Sequence, residues 1–394
     1  MEGGQAKKHM SKPVAGIICE YDPFHLGHKR QFELIRQRLP DARIVCLMSG
    51  CFTQRGMPAL HQPAARARAA LEAGANLVLE LPCAFSVRDA EHFALGGVDI
   101  LSRLGFITHL SFGAEDEITL LKRGAVLLES PTEAFQRTLK DLLAEGHSFA
   151  SAQGQALTAC LGGDAWSRPN NILAMCYLRA MIRLNSPLIP LPVLREGDYH
   201  ARELGHNRFP SATAVREAFR AGDYTSASAA CGWELPLSPV CLPDSLDALL
   251  LYQLRRADVN QLSMLPDCSE GLENRLKTCA GQATSREELL ALLKTRRYAH
   301  ARLSRLCAHA LLGVSQSLLA RHPLPEYVRL LGLRREASDL TSRLRLSQIP
   351  VIAKAADADR ENELFQLDLN AYDLWALGAG LPAGLMLRQP VVII

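Results

Sequence analysis

Residues 14–38 read VAGIICEYDPFHLGHKRQFELIRQR, and the fold turns on them. An apolar run, VAGIICEY, suits a strand buried on both faces. A turn with Pro23 follows, and helical spacing begins by residue 28. Between strand and helix stand His25, Gly27 and His28, an HxGH pattern with Leu26 at its variable position. A helix opening at Gly27 presents unpaired backbone N–H groups and the positive end of the helix dipole, a place that favours phosphate. Gly27 lets a phosphate approach the backbone closely. Two imidazoles there can donate hydrogen bonds to an α-phosphate as charge builds during nucleotidyl transfer.

Working outward, ARIVCLMS (42–49), NLVLELP (76–82), THLSFGAE (108–115) and PLIPLPVL (187–194) repeat the buried-strand pattern. Stretches 62–73, 86–103, 117–145 and 171–185 between them carry helical spacing or composition. Strand–helix alternation predicts a parallel, doubly wound, Rossmann-like α/β sheet, with ligands beyond the carboxyl ends of the strands. After about residue 240 the pattern turns mainly helical, at 244–257, 269–281, 285–295, 299–321 and 360–378, with one apolar run at 349–357. The proline-rich stretch 232–244 marks the boundary, so the expected division is 13–240 for the α/β unit and 241–394 for a basic, mainly helical one.

A second pattern, FPSATAVREAF (209–219), predicts a helix capped by Ser211, with Thr213 and Arg216 near its first turn. Hydroxyls and a guanidinium so placed suit phosphate oxygens. Together with HxGH this resembles the nucleotidyltransferase superfamily.

Composition narrows the rest. Hydrophobic residues make up 48% of 394, ample for a sizeable core, and no run approaches the ~18 apolar residues of a membrane span. The start, MEGGQAKKHMSKPV, lacks the apolar core of a signal peptide, so a cytoplasmic location is expected. Eleven cysteines occur singly with no CxxC pair, which predicts buried thiols rather than a metal site. Net charge is only +3, but residues 294–345 hold eleven Lys/Arg against three acids. Such a concentration predicts a surface for a polyanion. Arg297, Tyr298, Arg302 and Arg305, on or beside one helix, are the expected RNA contacts, the guanidiniums for phosphates and the ring for stacking.

The runs GIICEYDPFHLGH (16–28), MSGCFTQRGMPAL (48–60), LSFGAEDE (110–117), PNNILAMCYLRA (169–180), SATAVREA (211–218), EGLENRL (270–276) and RRYAHARLSRLCAHALLG (296–313) occur in that order. In this series the chain resembles the bacterial tRNA(Met) cytidine acetate ligase family. That resemblance implies an enzyme that forms acetyl-adenylate from acetate and ATP, ATP being accompanied by Mg2+. It then acetylates the wobble cytidine of elongator tRNA(Met) to N4-acetylcytidine, with no obligate protein partner and no membrane. It implies an ATP-binding loop through Ile18, Cys19, Glu20, Tyr21, Asp22, Pro23, Phe24, His25, Leu26, Gly27, His28, Lys29, Arg30 and Gln31, with further contacts from Gly113, Asn170 and Arg195. Asp22, Leu26 and Met57 depart from the family pattern, which carries Asn, Asn and Glu there. Two alternatives are a small-molecule nucleotidyltransferase, against which the basic segment speaks, and an RNA-binding protein with a vestigial nucleotide site.

Overall fold

Strand β1 (Val14–Cys19) lies between β2 (Arg43–Ser49) and β4 (His109–Ala114) in the middle of one eight-stranded sheet. The order is β5-β4-β1-β2-β3-β6-β7, with β3 at Leu77–Leu81, β5 at Ile189–Leu194, β6 at Val328–Leu333 and β7 at Val351–Ile352; β8 (Val392–Ile393) also pairs with β6. This computed structural model describes residues 12–194, 210–295 and 297–394. Strands β1 to β5 are mutually parallel. β6 runs antiparallel to β3 and carries β7 and β8 parallel to itself.

Alternating side chains serve two apolar layers, because successive Cβ atoms point to opposite faces. Ala15, Ile17, Ile44, Cys46 and Met48 meet Phe32 and Ile35 of α1 (Leu26–Arg38) and Ala67 and Leu71 of α2 (Pro63–Glu72). Val14, Ile18, Val45 and Leu47 face the other way, onto α3 (Ala90–Arg103) and α4 (Pro169–Arg183). α3 approaches closely because Gly97 has no side chain; a Cβ there would sit 2.5 Å from Ile18 Cδ1. The connecting helix α5 (Ala212–Arg220) packs through Val215 and Phe219 on a small cluster with Leu60 and Cys231.

The segment after residue 240 does two things. Helices between Asp247 and Leu312, ending in α6 (His300–Leu312), enclose their own cluster around Leu250, Leu276, Leu289 and Leu303. The chain then returns to the first sheet with β6, and α7 (Glu363–Gly378) places Phe365, Tyr372 and Trp375 in the sheet's main core. Both segments therefore build one sheet, and the turn to helix near 240 is not a break in it. The helical stretch expected at 117–145 is divided by Ser130-Pro131 into Ile118–Glu129 and Glu133–Ala144, since proline disfavours helix at the residue before it. That at 299–321 stops at Gly313, whose φ is 74°. Among the described residues no helix is long and apolar enough to cross a membrane.

Candidate active site

The β1–α1 connection carries the HxGH motif at the carboxyl end of the central strand. Tyr21 takes a left-handed backbone, φ 49°, and the following turn brings His25 to the N-cap of α1. His25 Nδ1 accepts from the Gly27 N–H at 3.1 Å, and His28 Nδ1 accepts from the His25 N–H at 3.2 Å. The two histidines thus form a reciprocal capping box, a role usually held by Ser/Thr and Glu. Their rings stack with centroids 3.7 Å apart, and Tyr21 and Phe24 lie against His28 at 4.7 and 5.5 Å. Since both Nδ1 atoms accept, each neutral ring carries its proton on Nε2, so the cap selects the tautomer that makes Nε2 a donor.

Arg66 secures this end of the sheet. Fully buried on α2, it donates to Glu20 O at 2.6 Å, to Ser49 O at 3.2 Å, to His61 O at 3.0 Å and to Gly50 O. One guanidinium thus satisfies carbonyls leaving both β1 and β2, groups that would otherwise be buried without partners. Nothing in the Ala-rich stretch PAARARAALE singled it out; the usable signal was a charge at a position where helical periodicity demands an apolar residue.

Asp22 is buried and engaged. Its Oδ1 accepts from the Leu60 N–H at 2.7 Å and its Oδ2 lies 3.4 Å from Arg216 Nη1. Arg216 also donates to Asp22 O and, at 3.2 Å, to Thr213 Oγ1. Ser211 caps α5 as expected, accepting from the Ala214 N–H at 3.0 Å. The two sequence motifs therefore meet in space, held by an Asp22–Arg216 pair that was not foreseen. Beside them lies a cavity of about 260 Å³, walled by Glu20, Asp22, Thr53, Arg55, Thr213 and Arg216, with Glu217 and Arg220 also lining it. Burial pushes the Glu20 carboxyl up from its ordinary value, and Asp22 adds to this. The Gln54 N–H, Arg55 and Arg216 pull it down.

On the far side of β1, Gly113 lies inside β4 rather than after it, beside Val193 of β5. Asn170 sits in the first turn of α4, where its N–H and its Nδ2 both donate to Glu115 Oε1, at 3.0 and 2.6 Å. Gln31 Nε2 donates to Ser111 Oγ at 3.3 Å, tying α1 to β4. Of the loop expected to hold ATP, Ile18 and Cys19 belong to β1, and Lys29, Arg30 and Gln31 to α1. Arg195 lies outside the described residues. No group of three or more His, Cys, Asp or Glu able to hold a metal occurs among the described residues.

The basic segment needs a correction. Tyr298 and Arg305 are both 7% exposed, so neither ring nor guanidinium faces solvent as expected. Arg302 lies over the Tyr298 ring at 5.1 Å and donates twice to Asp267 O, at 3.0 and 2.7 Å. Arg305 meets Asp267 Oδ2 at 3.4 Å. These charges fasten the Asp267 turn to α6 because a buried guanidinium must find acceptors. Further along, Arg329 is buried against Glu80, and Arg321 and Arg334 pair with Glu363 and Glu336. Arg297 is exposed, with Glu270 at 3.2 Å as its neighbour.

An HxGH capping box at the head of the first crossover helix, met by a Ser/Thr/Arg helix start, defines a nucleotidyltransferase, and the model described as HIGH Nucleotidyl Transferase matches residues 12–382. Within that class the chain belongs to the tRNA(Met) cytidine acetate ligase family. It is 33% identical over 386 residues to the protein of that name from Clostridium perfringens, covering 92% of this chain and 94% of that one. For the Clostridium kluyveri protein the figures are 34% over 387 residues, 91% and 93%. The crystal structure of Thermotoga maritima TmcAL in its apo form aligns with a TM-score of 0.87 at 26% identity, covering 97% of this chain and 99% of that one. The same protein bound with alpha-thio ATP aligns at 0.84.

Proposed function

We propose that this chain is an ATP-dependent ligase that acetylates the wobble cytidine of elongator tRNA(Met). Acetate oxygen attacks the α-phosphorus of ATP, pyrophosphate leaves, and the resulting acetyl-adenylate passes its acetyl group to the exocyclic amine of cytidine, releasing AMP. His25 and His28 stabilise the α-phosphate in the first step through Nε2–H donors, oriented by the reciprocal cap. Arg216 and Arg195 bind the outgoing phosphates as charge-assisted donors, with Thr213 beside Arg216. Gly113 and Asn170 flank the adenosine. Mg2+ bound with the phosphates of ATP would offset their charge. Arg297 contributes to the tRNA surface, while Arg302 and Arg305 shape it from beneath.

The observation that carries this reading is the intact two-histidine cap in a chain that aligns along more than nine-tenths of its length with ligases of one name. An enzyme acting on tRNA works in the cytoplasm, and no obligate protein partner is needed for either step. The test is incubation with ATP, labelled acetate and bulk tRNA, followed by digestion to nucleosides. Label in N4-acetylcytidine supports the reading; its absence, with pyrophosphate release unaffected by acetate, rejects it.

A further inference from the structure

In a doubly wound sheet the nucleotide lies where the strand order reverses, here between β1 and β4, where Gly113 and Asn170 stand. The 260 Å³ cavity opens on the opposite flank of β1, toward the loop after β2. Beyond the Asp22–Arg216 pair, its wall carries one further carboxylate, Glu20, and one further guanidinium, Arg55. Guanidiniums alone suffice for phosphate oxygens, whereas a carboxylate beside a guanidinium offers an acceptor next to a donor. A heteroaromatic edge bearing an amine beside ring acceptors needs both kinds of group. Cytosine presents such an edge, an N4 amine that donates, to which Glu or Asp characteristically pairs, beside acceptors. The volume, just below the ~300–1,000 Å³ of ordinary ligand sites, suits a single-ring base.

We propose that this cavity receives the acceptor cytosine, turned out of its loop, with Glu20 accepting from the exocyclic amine and Arg55 donating to the ring's acceptor edge. The inference rests on the cytidine-acetylating reading above. Glu20 then acts as general base. As N4 attacks the acetyl carbonyl carbon, the C–N bond forms and the amine proton passes to the Glu20 carboxylate. The acyl C–O bond breaks, its electron pair leaving on AMP. The N4 lone pair is delocalised into the ring, which makes the amine a poor nucleophile until its proton is drawn away.

Glu20 is built for this. Its Oε1 accepts from the Gln54 N–H, and among the described residues Oε2 has no hydrogen bond and can take a second donor. The charged groups around it are Asp22 on its own loop, Arg55, and Arg216, Glu217 and Arg220 of α5, while Arg66 holds its backbone carbonyl. Burial, the largest influence, raises its carboxyl and hence its basicity. Uridine would bring a carbonyl oxygen against the carboxylate, two acceptors with no proton between them, so the same contact selects cytidine.

The test supplies chemically made acetyl-adenylate to wild type and variants with an anticodon stem–loop bearing cytidine, and follows single-turnover transfer against pH. Wild type should lose rate on the acid side as Glu20 protonates. Glu20→Gln should transfer ~10²-fold or more slowly and show no acid limb, within the range for loss of a general base. Glu20→Asp should restore the limb at an intermediate rate, and Arg55→Ala should raise the KM for the stem–loop more than it lowers kcat. Transfer by Glu20→Gln at the wild-type rate with the wild-type pH profile overturns the proposal alone. Wild type that leaves acetyl-adenylate unused overturns the ligase reading, and this proposal with it.

Discussion

At the head of α1 the Nδ1 edge of His25 caps the helix while its Nε2 carries the proton, so structure and chemistry use opposite edges of one ring. The two are separable. His25→Asn keeps a side-chain acceptor for the Gly27 N–H but loses the donor, whereas His25→Ala loses both. Both variants should form acetyl-adenylate ~10²–10³-fold more slowly, the usual effect of removing one donor from a developing charge. Only His25→Ala should also lose stability, by about 1 kcal/mol in urea unfolding, as a helix without its cap does. Equal instability in the two variants would show that capping is not what Nδ1 contributes. At this scale the sequence was readable where one stretch of chain holds the whole pattern. HxGH and the Ser211, Thr213, Arg216 series lie each within a few residues. Arg66, Arg55 and the Asp22–Arg216 pair were not readable, because the contacts by which they tie the strand ends together cross 16 or more positions of sequence and only the folded sheet makes them neighbours.

Among elements, β3, β6 and α7 meet over a buried network. Arg329 and the Tyr372 hydroxyl both reach Glu80, while Asp368 accepts from the Tyr327 hydroxyl at 2.5 Å and the Cys83 N–H at 2.7 Å. Glu80 takes the Arg329 guanidinium, and burial with the Glu80 charge pushes Asp368 up from 3.8 to about 7 despite its donors. A raised carboxyl favours the folded state while protonated. Its contribution is therefore complete below the unfolded value of 3.8 and declines as pH rises to about 7. The stability of wild type relative to Asp368→Asn should fall across that window, by at most about 1.4 kcal/mol per pH unit, and stay level above it. Urea midpoints at pH 5, 6, 7 and 8 measure this; a constant difference would contradict it. Elements β1 to β4 were legible because strands buried in the sheet read as apolar runs; β5 reads as one too, although at the sheet edge only its Val193 is buried. β6, VRLLGL, was missed because a charged residue interrupts it, and that Arg329 is the buried partner of Glu80. β7 falls inside the apolar run at 349–357, whereas β8 is two residues, too short for any pattern.

For the whole molecule, the change of composition near residue 240 was a true signal of helices and a poor guide to where the sheet ends. A chain can leave a core and return to it, and nothing local in 328–333 announces the return. Charge suffered likewise: the sequence counts arginines, but burial decides which of them face outward. Arg297→Ala should lower the slope of log K for tRNA against log salt by somewhat under one unit, as loss of one phosphate contact does. Arg305→Ala should leave that slope unchanged and instead cost about 1–3 kcal/mol of stability by removing a buried guanidinium's charged hydrogen bond to the half-exposed Asp267. Filter binding at several salt concentrations, with thermal melts, separates the two; a slope change in Arg305→Ala alone would place the RNA surface elsewhere.

On this mechanism the histidine-capped loop activates acetate as an adenylate before any tRNA is engaged. ATP–pyrophosphate exchange, measured with labelled pyrophosphate in the absence of tRNA, tests it most directly. Exchange that requires acetate, proceeds without tRNA and falls ~10²-fold or more in His28→Ala is the predicted result. Exchange that is absent, indifferent to acetate, or undiminished in His28→Ala would contradict the account.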